Sequence, residues 1–244
     1  MTAQAPPICI RVDDVGDDDA ATDALLSALR DAGIPASCQV VPAWLTPSTA
    51  RGLGRRRDRA PELVELAQHG FSHANHAPAG GRKHEFGEGR SIEDQRRDLL
   101  AGRRRLEALL GDAFTPGFCP PHDRLTHDTL RVLRAEAYLF VAGGPRTFEE
   151  MPVPDGLFTA VFGVDASERG PTGRLCRPAS AVLGQLKAAR GPLAGIVLHA
   201  REMNDVARSA LVRGLARCRE EGRMFVTLAE ASGRLARRSL GGRL

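Results

Sequence analysis

The chain has 244 residues, 42% of them apolar, and a net charge of +4 from 34 basic and 30 acidic side chains. That length and apolar content suit one α/β domain with a sizeable core and argue against disorder. Arginine triplets at 55–57 and 103–105 stand among many acids, with one Trp and one Tyr to stack on bases, so they read as solvated helix faces and not as a nucleic-acid surface.

In chain order, Ile8 to Val12 is a short apolar strand that ends at Asp13-Asp14. Residues 20 to 31, closed by Gly33, form a helix. Ser37 to Leu45 is a second strand, and Thr46-Pro47 then caps a helix that stops before Pro61. Glu62 to Gln68 reads as a strand running into His69, because Pro61 has already ended the helix. Ser91 with Asp94 opens a long helix that carries Leu99, Leu106 and Leu110 on one face. Phe114 to Cys119 is a strand closed by Pro120-Pro121, and Thr126 to Ala137 a helix. Strands follow at Tyr138 to Ala142 and Leu157 to Val164, then a helix at Ala179 to Arg190. Gly195 to Leu198 is an apolar strand ending at His199, Asp205 to Glu220 a helix, and Met224 to Leu228 a last strand. His84, in a Gly-rich loop, reads as a surface residue. Residues 1–7 and 236–244 are expected to fray.

Strand–helix alternation predicts parallel strands with helices outside, in a single α/β domain over residues 1–244. A closed or nearly closed barrel, TIM-barrel-like, is preferred to an open doubly wound sheet. No apolar run is long enough to span a membrane. The N-terminus lacks the basic start and apolar stretch of a signal peptide, and five scattered cysteines without a CxxC pair read as reduced thiols. A cytoplasmic protein is expected.

Apolar strands end in Asp13-Asp14, His69, Pro120-Pro121-His122, Asp165 and His199. In parallel α/β folds these ends converge on one face, where the site is built. His69 and His73 are four residues apart, a spacing that lets both imidazoles reach one ion. With Asp14 they make a two-histidine, one-carboxylate set suited to Zn²⁺, Fe²⁺, Co²⁺ or Mn²⁺. Asp13 would then remain free as a general base, and His76 extends the cluster as a substrate contact.

Together these residues resemble the polysaccharide deacetylase superfamily, the NodB-homology enzymes of carbohydrate esterase family 4 type. Val12-Asp13-Asp14 matches its first motif and His69/His73 its second. Phe118 to His122 loosely matches the third, Asp165 the fourth, and Val197-Leu198-His199 the fifth. The resemblance implies a distorted (β/α)7 barrel, a divalent metal, and hydrolysis of an acyl group, N-acetyl first, from an amino sugar or similar small amide. HGFSHANHAP and PPHDR mark a divergent, intracellular branch. The arginine usual before the prolines of the third motif is absent, with Arg124 lying after them. The tryptophan usual in the fourth is absent too, Trp44 being the only one.

On this reading Asp14, His69 and His73 bind the ion and Asp13 takes the proton of the attacking water. The backbone of His122 helps hold the oxyanion, and Arg124 holds a substrate oxygen. His199 protonates the leaving amine, oriented by Asp165. Deformylation or cleavage of another small amide uses the same parts. An iron oxygenase with the same ligand set usually has an antiparallel jelly roll, and a non-catalytic carbohydrate binder usually has eroded ligands.

Overall fold

The structure is a computed structural model that describes residues 5–17, 19–149, 151–171 and 173–241, with 236–241 described by backbone alone. Eight strands form one parallel sheet: β1 (Ile8–Val15), β2 (Ala36–Val40), β3 (Val64–His69), β4 (Phe114–Cys119), β5 (Phe140–Gly143), β6 (Phe158–Val161), β7 (Val164–Asp165) and β10 (Ala194–His199). Their order is β6-β5-β4-β3-β2-β1-β10-β7. A separate antiparallel hairpin, β8 (Ser167–Gly170) with β9 (Gly173–Cys176), leaves the end of β7. The helices are α1 (Ala20–Asp31), α2 (Pro47–Arg59), α3 (Ile92–Leu110), α4 (His127–Ala135), α5 (Ala179–Ala188), α6 (Asp205–Glu220) and α7 (Leu228–Gly241).

Strands β6 and β7 stand at opposite ends of that order, yet only residues 162 and 163 separate them. Such a link spans at most about 11 Å between Cα atoms, so the sheet must curl until its edges meet. The expected strand from Leu157 to Val164 is thus one bent strand, whose first half pairs with β5 and whose second half pairs with β10. Phe162 continues the first pairing by donating its N–H to the Gly143 carbonyl at 2.8 Å. Counted this way the fold is the expected distorted (β/α) barrel.

Side chains alternate across the barrel wall, as the strand period of two requires. Ile8, Ile10 and Val12 face outward and share a core with Leu25 and Leu29 of α1 and Leu211 and Leu215 of α6. Cys9 faces inward, with Ala67, Phe140, Ala142, Phe162 and Val197. Capping side chains fix where the helices begin. Asp19 accepts from Ala21 N on α1, Thr46 and Thr49 form a reciprocal capping box on α2, and Asn204 accepts from Ala207 N on α6. Each such cap stabilises by about 1 kcal/mol.

Several expectations need correcting. Strand β2 ends at Val40, because Pro42 begins a single turn of 3-10 helix. Met224 to Leu228 is not a strand. Phe225 makes one bridge to Ile8, and Thr227 then accepts from Glu230 N at 3.2 Å to start α7. The helix backbone runs on through 236–241, where fraying was expected, while 1–4 and 242–244 lie outside the described residues. Pro7 is tied down as well, its carbonyl accepting from Ala194 N at 2.8 Å. His84 and Glu85 are buried, at 4% and 1% exposure. Among the described residues no helix is long and apolar enough to cross a membrane.

Candidate active site

The site lies at the C-terminal ends of β1, β3, β4 and β10. Pairing of β1 with β2 slips by one residue between Val12 and Val15, a bulge at Asp13-Asp14. Asp14 there has a φ of 61°. Adjacent strand residues normally point to opposite faces, and the bulge is what turns Asp14 toward the rim while Asp13 points into the barrel. Left-handed backbone recurs around the rim at His73, His122 and Asp123, while among the described non-glycine residues only Ala137 shows it elsewhere. Strain of this kind persists only where surrounding contacts enforce it.

Oδ1 of Asp14 lies 3.1 Å from Nε2 of His73 and 3.4 Å from Nε2 of His69. Ligand atoms of the three residues all fall within 4.8 Å of one another. Nδ1 of His69 is 3.0 Å from the Cys119 carbonyl, a contact that places a proton on Nδ1 and leaves the Nε2 lone pair for the cluster. Oδ1 of Asp14 is buried and receives no hydrogen bond of good geometry. Burial alone would push the Asp14 carboxyl up. The adjacent His69 and His73 imidazoles outweigh it and hold the group well below the ordinary carboxylate range. Two imidazoles and one carboxylate on a common point, with open positions, fit a divalent ion.

A second group, Asp13, His69 and Cys119, is as tightly spaced but fits an ion poorly. Burial pushes the Cys119 thiol up to about 11, so it is no thiolate. Asp13 is already engaged: Nε of Arg11 lies 2.9 Å from its Oδ1, and Nη2 donates to its Oδ2 at 2.9 Å. The same Nη2 donates to Oδ1 of Asp123 at 2.9 Å. Arg11 is 2% exposed, with its guanidinium over the Phe162 ring. Sequence reading missed Arg11. Its signal was a charge at an inward position of the apolar run Ile8-Cys9-Ile10-Arg11-Val12, which a barrel interior tolerates only when paired.

The loop that carries His73 is built by buried groups from other elements. Gly70 has a φ of 58°, and a Cβ there would meet Oε2 of Glu85 at 2.0 Å and Pro121 at 2.5 Å. Glu85 accepts from Phe71 N, Ser72 N and Ser72 Oγ at 3.1, 2.8 and 3.1 Å. Tyr138 Oη donates to Gln68, whose amide donates to the carbonyls of Gly70 and Leu99. Trp44 sets its ring 5.5 Å from that of His73.

His122 meets His73 edge-on, with centroids 4.6 Å apart. Burial, then the charges of His73 and His69, push its imidazole down to about 4, so it is neutral at pH 7. His199 sits beside Asp13 in the β1–β10 register, and both line a cavity of about 180 Å³ with Asp14, Thr22, Arg201 and Glu202. Asp165 does not reach His199. Its Oδ2 pairs with Arg174 at 2.6 Å and its Oδ1 accepts from Ser167 N. Glu202 faces His199 instead, with Oε2 3.7 Å from Nδ1. His76 is exposed, and its backbone N–H donates to the His84 carbonyl at 2.8 Å. Arg124 is partly buried; after burial itself, its charge is the largest influence holding the His84 imidazole below its ordinary range.

A curled parallel barrel with two histidines and two aspartates at its strand ends defines the class of protein. The sequence profile of the polysaccharide deacetylase family matches residues 2–141. The chain belongs to that family. No curated protein matches it. A family 4 acetyl xylan esterase from Clostridium thermocellum, in complex with a cobalt ion, is similar in structure at 18% identity and a TM-score of 0.63, with 92% of this chain and 89% of that one covered. A Mycobacterium smegmatis protein described as a candidate polysaccharide deacetylase has 18% identity and a TM-score of 0.69, with 96% and 95% covered. A family 4 pseudoenzyme from Bacillus anthracis has 13% identity and a TM-score of 0.63, with 93% and 66% covered.

Proposed function

We propose that the chain is a metal-dependent amide hydrolase that removes a small acyl group, N-acetyl first, from an amino sugar or similar small amide. The observation that carries this is the convergence of Asp14, His69 and His73 on one point, with the Asp13 carboxylate beside it. These three residues would hold the ion, Zn²⁺ by first choice and otherwise Co²⁺, Fe²⁺ or Mn²⁺. A divalent ion there supplies Lewis acidity toward an acyl carbonyl and acidifies water.

Asp13 accepts the proton of the attacking water. Arg11 aims that carboxylate through two contacts, and its Nη2 also bonds Asp123. The N–H of His122, which no acceptor among the described residues takes up, serves the oxyanion. His199 donates a proton to the leaving amine, with Glu202 in the supporting place expected of Asp165. Arg124 and His76 remain candidates for contacts to the sugar, and the five unpaired thiols support a reducing, cytoplasmic setting.

The test is metal analysis of purified protein, together with acetate release from an acetylated chitooligosaccharide and from a small N-acetyl amide. Wild type should hold about one ion, His73→Ala should lose it, and Asp13→Asn should keep it while turnover falls by about 10²- to 10⁴-fold. Equal metal in wild type and His73→Ala would refute the site. Formate released from a formyl amide in place of acetate would select a deformylase. The pseudoenzyme neighbour keeps a second reading open, a sugar binder without turnover. Metal content with sugar binding and no release of either acid would select it.

A further inference from the structure

The β8–β9 hairpin takes no part in the barrel, yet one side chain fastens it to the site. Arg174, on β9, sets Nη2 2.6 Å from Oδ2 of Asp165 and Nε 2.7 Å from Oε1 of Glu202. Glu202 turns its other oxygen toward Nδ1 of His199, 3.7 Å away. That oxygen and that nitrogen are both buried, and neither has a hydrogen-bond partner.

A carboxylate on the Nδ1 side of an imidazole keeps a proton there and leaves Nε2 to exchange protons with a bound molecule. His199 and Glu202 lie three residues apart in one tight turn, so the backbone alone leaves the glutamate free to point to solvent. The guanidinium removes that freedom by gripping one carboxylate oxygen and presenting the other. Asp165, held by the same guanidinium, anchors the arginine from the opposite side. Cations and acids around His199 are therefore Glu202 and Arg201 on its own turn, Asp13 and Asp14 from β1, Asp165 from β7 and Arg174 from β9.

We propose that Arg174 is a positioning residue for His199: it holds Glu202 against Nδ1 and so selects the imidazole tautomer whose Nε2 is free for the cavity. The catalytic consequence rests on the hydrolase reading; the tautomer does not, being a property of the resting protein.

The test pairs ring ¹H–¹⁵N NMR of His199 with kinetics, in the full chain and in Arg174→Met, Arg174→Lys and Glu202→Gln. The Arg174 side chain is 40% exposed, so these variants should fold, which an unchanged melting temperature checks. With the imidazole neutral, wild type should carry its proton on Nδ1. Arg174→Met and Glu202→Gln should both lose that bias, and Arg174→Lys should keep part of it. Wild type protonated on Nε2, or an Arg174→Met spectrum like that of wild type, overturns the proposal. In kinetics, Arg174→Met should lower kcat about tenfold on an N-acetyl amide at unchanged KM. It should leave an activated aryl acetate nearly untouched, since that leaving group departs without a proton. Equal losses on both substrates would make Arg174 a structural prop and overturn the proposal. A wild type that hydrolyses neither substrate defeats the hydrolase reading, and the NMR result then decides the tautomer alone.

Discussion

Arg11 bonds two carboxylates, one buried with it inside the barrel and one at the rim. Its guanidinium is nearly sealed from solvent and bonds Asp13 and Asp123 at once. Removing one member of such a pair leaves the other buried without compensation, which typically costs about 3–5 kcal/mol. Arg11→Met should therefore destabilise the fold by about that amount in urea denaturation. Arg11→Met combined with Asp13→Leu should recover much of the loss, because no buried charge is left unpaired, Asp123 being 37% exposed. A fully additive double variant would show that the two residues act independently. The two aspartates themselves were legible at the end of an apolar strand. The bulge and left-handed φ that turn Asp14 toward the rim and Asp13 into the barrel were not, because neighbouring strands impose them.

At the scale of elements, the HxxxH segment is a loop and not a helix, and its geometry is enforced from outside. Gly70→Ala would drive a methyl group into Glu85 and Pro121. That variant should lose metal altogether, measured as ion content after purification. Glu85→Gln keeps the volume but surrenders an acceptor to the loop N–H groups. Metal affinity should fall by about 10- to 100-fold, read by competition with a chromogenic chelator. Wild-type affinity in Glu85→Gln would remove Glu85 from any role in holding His73. Spacing alone pointed to His69 and His73. Glu85 read as part of a Gly-rich loop, because nothing local reveals that residues 84–86 are folded under the site. Likewise Thr227-x-x-Glu230 carries a readable helix start, and the apolar run before it drew attention to a strand instead.

The whole molecule closes its barrel at the end opposite the site with the start of α7. Glu65, inside the wall on β3, accepts from Leu228 N at 3.2 Å and Ala229 N at 2.8 Å, and Ser37 Oγ accepts from Leu228 N at 3.0 Å. Burial pushes the Glu65 carboxyl up, and the hydrogen bonds from Ser37 and these N–H groups only partly oppose it. A carboxyl raised in the folded state contributes stability that is fully present below its unfolded value of about 4.3 and is lost as pH rises through the raised value. The stability difference between wild type and Glu65→Gln should shrink accordingly across that window, measured by urea midpoints at a series of pH values. A difference that does not change with pH would contradict the burial argument. The ion proposed at the other end should act on the whole fold by mass action. At a free concentration one hundred times its Kd it adds about 2.7 kcal/mol, so chelation should lower Tm reversibly.

Alternation of apolar strands with helices, and polar residues at strand ends, determined the barrel class and most of the candidate ligands, because both are periodic, local properties of the chain. Tertiary structure alone decided which charges meet. Arg11 finds Asp123, Glu85 finds the loop of His73, and Arg174 finds the Glu202 that stands where Asp165 was expected, since each pairing joins segments whose separation in sequence says nothing of their distance once the sheet has curled shut.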